Sequence, residues 1–149
     1  MRIAPLAVWL ANIEDLPTLK KIIEVDVSFT HSNQLVKDAV IIYSATIGYL
    51  IRNFDEDGKQ VLAFLHAREL AEQLENQEII DWLDNCKKMA TDADMKECLA
   101  GISFLKKQTY FNPAVQIGHL KHAFILSYYH LLLFHKCVEI EGFFKLAIR

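Results

Sequence analysis

Residues 28–53 read SFTHSNQLVKDAVIIYSATIGYLIRN, and their pattern decides the fold class. The stretch opens on a polar turn holding Thr30-His31 and then loses nearly all polarity. Leu35, Val36, Ala39, Val40, Tyr43, Ile47, Leu50 and Ile51 recur at i, i+3, i+4, i+7, the helical period. Ile41, Ile42, Ala45 and Tyr49 fill much of the opposite side. A helix apolar on almost every side is a bundle helix with neighbours around it. Ser32 or Asn33 is its expected N-cap, since a short side-chain oxygen accepts from the first free N–H groups. Arg52 stands at its C-terminal end, where a cation suits the helix dipole.

Outward from this helix the same period recurs. On the N-terminal side, residues 1–12 read as a loop entering a short helix that tolerates Pro5 in its first turn. Asp15 caps a helix over residues 16–29 with Pro17 in its first turn. Leu19, Ile22 and Ile23 face inward there, while Lys20, Lys21 and Glu24 face water. On the C-terminal side Asp55-Glu56-Asp57-Gly58 is a turn. A further helix begins at Lys59, with Val61, Leu62, Leu65, Leu70 and Leu74 as its stripe. Asn76 caps a helix over residues 78–89 with Ile79, Ile80, Leu83 and Cys86 inward, and Thr91-Asp92 caps another carrying Met95, Leu99, Ile102 and Leu105. Asn112-Pro113 breaks the chain. Residues 117–135, IGHLKHAFILSYYHLLLFH, form a second very apolar helix, the natural partner of the first. No segment alternates as a strand, so the expected class is an all-α multi-helix bundle.

The 149 residues suit one domain with a real core, and 52% of them are apolar with mean hydropathy +0.15. That excess suggests apolar surface awaiting a partner, which includes a homodimer through exposed apolar helices. Sixteen Lys and Arg against 19 Asp and Glu give a net charge of -3, which argues against nucleic acid. Cys86, Cys98 and Cys137 are odd in number and widely spaced, so a reduced, cytoplasmic setting is expected. Pro5 interrupts the apolar N-terminus, so no signal peptide is read, and the apolar run at residues 123–134 is too short to span a bilayer, so no membrane partner is expected.

Candidate chemistry is sparse. Thr30-His31 offers a hydrogen-bonding imidazole near a helix mouth, where a phosphate or ribose is readily met; the plainer alternative is a turn residue satisfying a carbonyl. Thr91-Asp92-Ala93-Asp94 offers oxygens to Mg²⁺, yet Asp at a helix start is also an ordinary cap. His119, His122, His130 and His135 share much of one helix, but no carboxylate or thiol there completes a ligand set.

Three ordered segments resemble the ADP-ribosylglycohydrolase family, all-α hydrolases that release ADP-ribose from proteins. Met1-Arg2-Ile3-Ala4-Pro5-Leu6 is similar to the segment after the family's Gly-rich ADP-ribose loop. Residues 27–51, with Thr30-His31, Asp38, Tyr43 and Ile47, resemble its Thr-His turn and buried helix. Residues 117–132, from Ile117-Gly118 through Lys121-His122-Ala123-Phe124 to His130-Leu131-Leu132, resemble the helix that leads to its second metal segment. Together they cover most of residues 1–132, leaving 136–149 as a divergent tail after a partial family domain over 1–135. The resemblance implies that His31, with Arg2 from the loop end as a secondary candidate, binds ADP-ribose or an ADP-ribosylated protein. It implies Mg²⁺ as the family cofactor. The family's Thr-Asp-Asp and Gly-Gly-Asp-x-Asp ligand motifs do not occur in this sequence, so no catalytic or metal residue is assigned. The expectation is a truncated member with little or no hydrolysis, the alternative being a non-catalytic ADP-ribose-binding or structural helical module.

Overall fold

Side chains that start and stop helices set the boundaries in a computed structural model of the chain, which describes residues 3–92 and 118–134. Six helices are described: α1 (Ile3–Trp9), α2 (Leu16–Ser28), α3 (Gln34–Arg52), α4 (Lys59–Gln73), α5 (Gln77–Asp92) and α6 (Gly118–Phe134). No described residue lies in a strand. The all-α multi-helix bundle expected from periodicity is what the chain forms.

Each boundary has a local cause. Asp15 stands in extended backbone and its carboxylate accepts from the Thr18 N–H at 2.9 Å, with Pro17 in the first turn of α2. Asn33, rather than Ser32, caps α3 and accepts from the Leu35 N–H at 2.8 Å. Gly58 precedes α4 at φ 73°, a left-handed conformation that costs glycine little. The end of α4 is a Schellman turn: the Asn76 N–H donates to the Ala71 carbonyl at 3.1 Å and the Glu75 N–H to the Glu72 carbonyl at 3.0 Å. The left-handed position in that turn is Glu75, at φ 53°.

The chain divides into two compact units, Met1–Asp81 and Trp82–Arg149. In the first, α3 packs against α1, α2 and α4. Its deepest residues are Ala39, Ile41, Ile42, Ala45 and Gly48, together with the polar Asp38, Ser44 and Thr46. The expected stripe is thereby corrected. Of that stripe Ala39 is buried, whereas Val40, Tyr43, Ile47 and Leu50 are half-buried and Ile51 is exposed, and Ile41, Ile42 and Ala45 of the other side lie deeper. Gly48 and Ala45 let neighbouring backbone come close, and small residues, not the larger Leu and Val, mark the line of closest approach. At 19 residues α3 has the length and composition to cross a membrane, yet 44% of its apolar window is buried within the fold.

The same correction holds in α4. Leu62 and Leu65 are exposed, whereas Ala63, Phe64, Ala67, Leu70 and Ala71 are buried. Three alanines on one face allow a tight crossing that leucines would hold apart.

Two polar contacts fasten this unit. The Arg52 guanidinium donates to the Ala11 carbonyl and lies 3.5 Å from the Glu14 carboxylate, tying the end of α3 to the α1–α2 connection. Asp38, 5% exposed, accepts from Gln34 Nε2 and from Asn76 Nδ2, both at 2.8 Å. Asn76 in turn accepts from the Ile79 N–H at 3.2 Å as the cap of α5.

In the second unit the later part of α5 meets α6. Trp82, Leu83, Cys86 and Ala90 are buried, as are Phe124, Tyr128, Tyr129 and Leu133. Trp82 meets Phe124 edge-on at 5.7 Å, and Phe124 meets Tyr128 at 4.5 Å. The Cys86 thiol donates to the Ile125 carbonyl at 3.5 Å, and burial pushes its pKa up to about 12. Thr91 and Asp92 are still helical at the end of the described part of α5, where the Thr91 hydroxyl donates to the Lys87 carbonyl at 2.8 Å, so Thr91 is not the cap of a new helix. The expected helix through Met95 and Leu105, and the tail 136–149, lie outside the described residues.

Candidate functional site

The connection between α2 and α3 is built on one carbonyl. Val27 O accepts from the Thr30 N–H at 3.0 Å, from the His31 N–H at 2.8 Å and from the Thr30 hydroxyl at 3.3 Å. The Thr30 hydroxyl also lies 2.9 Å from His31 Nδ1, a contact in which either group can donate, and the ring sits at an exposed position. An imidazole so held can accept from a ribose hydroxyl, or when protonated can meet a phosphate.

Behind this turn, along the outer face of α2, lies an open depression of about 730 Å³. Lys20, Lys21, Glu24, Val25 and Phe29 come from α2, and Lys37 reaches it from the first turn of α3. Sequence reasoning assigned Lys20, Lys21 and Glu24 only to the wet side. The i, i+4, i+8 spacing of Lys21, Val25 and Phe29 carries part of the signal; that Lys37 joins them depends on how α2 packs on α3.

The other candidates fare differently. Arg2 lies outside the described residues, as do His135 and the side chains of His119 and His122. His130 Nδ1 donates to the Leu126 carbonyl one turn earlier at 2.7 Å, the role of a satisfied helix histidine. Among the described residues, no three carboxylate, imidazole or thiol groups converge so as to hold a metal ion, so the described residues offer no set for the paired Mg²⁺ that the resemblance implies.

A half-buried imidazole lies elsewhere in the first unit. The His66 ring lies tilted against Tyr49 at 5.2 Å, and burial holds its pKa below the ordinary histidine value of 6.5; Glu69 opposes that shift and Arg52 adds to it.

Compared with protein-family models, with curated proteins and with solved structures, the chain finds no match.

Proposed function

We propose that the chain is an ADP-ribosylglycohydrolase-like helical module that binds ADP-ribose through the α2–α3 connection without hydrolysing it. The observation that carries this reading is the tethered imidazole: His31 Nδ1 lies 2.9 Å from the Thr30 hydroxyl, on an exposed turn anchored on Val27. The three ordered resemblances supply the identity of the ligand. Binding without turnover is preferred because no described cluster of side chains suits the two-metal chemistry of the family.

Titration calorimetry of the full chain with ADP-ribose tests it. Saturable heat that falls at least about tenfold in affinity for His31→Ala is the expected result. No heat up to about millimolar ligand, or equal affinity in the variant, refutes the site. Steady release of ADP-ribose from an ADP-ribosylated protein in the presence of Mg²⁺ refutes the claim that hydrolysis is absent.

A second reading, self-association, rests on a separate observation. Ile51, Phe54, Leu62 and Leu65 are all exposed near the connection between α3 and α4, with Phe54 at 64%. Sedimentation of the chain reports it: a concentration-dependent dimer that Phe54→Glu dissociates supports it, and a clean monomer removes it.

A further inference from the structure

The depression on the outer face of α2 has the composition of a ligand site in its own right. Three ammonium groups, Lys20, Lys21 and Lys37, line it against one carboxylate, Glu24, in a chain whose net charge is negative. Lys20 pairs with Glu24 at 3.9 Å, whereas Lys21 and Lys37 make no ion pair among the described residues. Two uncompensated cations on adjacent helices are suited to a ligand carrying two negative charges close together, since each ammonium gains a charge-assisted hydrogen bond.

The apolar part of the same depression is equally specific. Phe29 is 79% exposed and Val25 is 58% exposed, one helical turn apart, with Pro17 beyond. An aromatic ring left this open, next to cations, offers a face on which a planar base can stack. The depression is open to solvent rather than enclosed, so charge pairing and stacking against one wall would have to hold the ligand.

The geometry points to a nucleoside-diphosphate site, with the diphosphate held by Lys21 and Lys37, the base stacked on Phe29, and the Glu24 carboxylate available to a ribose hydroxyl. This deepens the ADP-ribose reading and rests on it only for the choice of adenine nucleotide. The depression takes the diphosphate and base, while His31 takes the distal sugar that ADP lacks.

Three ligands separate these parts in calorimetric titrations of the full chain: ADP, ADP-ribose and inorganic pyrophosphate. ADP binds, and the double variant Lys21→Gln/Lys37→Gln weakens it at least about tenfold, with weakening of the wild-type affinity as salt is raised. Phe29→Ala weakens ADP about five- to tenfold and leaves pyrophosphate unchanged. His31→Ala weakens ADP-ribose alone; if it weakens neither ligand while ADP still binds, the His31 reading fails and the depression stands. All these positions are exposed or half-buried, and far-UV circular dichroism of each variant checks that the helices remain. The proposal is overturned if ADP gives no heat up to about millimolar, or if the lysine variant binds it as well as the wild type. It is equally overturned if pyrophosphate matches ADP, or if the chain ignores ADP and instead sediments with phosphatidylserine vesicles.

Discussion

At Ser44 a single atom is out of keeping with its surroundings. The residue is 2% exposed in the middle of α3, and its hydroxyl has no hydrogen-bond partner. Two residues on, Thr46 solves the same problem by donating to the Ile42 carbonyl at 2.8 Å. An unsatisfied buried hydroxyl costs about 1–3 kcal/mol, and alanine is also the better helix former. Ser44→Ala is therefore expected to stabilise the protein by about 1 kcal/mol in urea denaturation, against the usual direction of a core substitution. Glu75 is a second local liability. A side chain in left-handed backbone costs about 1–2 kcal/mol, and the Schellman turn at the end of α4 favours glycine there. Glu75→Gly should raise the melting temperature by about 2 °C or more; an unchanged or lower value would show that Glu75 holds the turn by a side-chain contact.

At the scale of elements, the approach of α3 to the α1–α2 connection turns on Gly48. A Cβ at that position would lie 3.1 Å from Arg52 Nη1, 3.2 Å from the Ala11 carbonyl oxygen and 3.4 Å from Ala11 Cα. Helix propensity alone favours Gly48→Ala by about 1 kcal/mol. Ala11, however, is buried and its carbonyl is held by Arg52, so it cannot give way cheaply. Overpacking costs about 1–3 kcal/mol and should win. The expected result is net destabilisation of about 1 kcal/mol, reduced in an Arg52→Met background that removes the nearest of these contacts and frees Ala11; additive effects in the double variant would show that the two are uncoupled.

Element boundaries were also the most legible part of the sequence. Asp15 with Pro17, Asn33, the 55–58 turn and Asn76 each announce a helix start through side chains that act on backbone a few residues away. Helix faces were less legible. In α4 the leucines advertised one face while the alanines took the close crossing, and in α3 the half-buried Val40 and Tyr43 outweighed Ala45 and Gly48 on hydrophobicity alone. Size governs approach distance, which no hydrophobic count registers. The Thr30-His31 turn was visible because it is local. The basic depression was not, because Lys37 reaches it only through tertiary packing.

For the whole molecule, acid should act through His66. Its folded pKa lies below 6.5, chiefly because burial disfavours the charged ring. Above pH 6.5 the ring is neutral in both folded and unfolded chains, and its contribution is fully present. As pH falls through 6.5 the unfolded chain takes up a proton that the folded chain resists, so stability declines until the folded pKa is reached. Stability measured by urea between pH 7.5 and pH 5 should fall with acidity, and His66→Gln should flatten that part of the slope. Histidines 31, 119, 122, 130 and 135 remain in the variant and supply the reference. An identical slope in the variant would assign the acid sensitivity to other groups.

The packing of Cys86 also makes it a clock. A thiol with a pKa near 12, enclosed by α6 and donating to Ile125, is inert to alkylating reagents while the helices stay together. Every iodoacetamide adduct on the peptide containing Cys86 would therefore record one separation of α5 from α6. Its rate of appearance, read by mass spectrometry apart from Cys98 and Cys137, reports the fraction of time the second unit stands open.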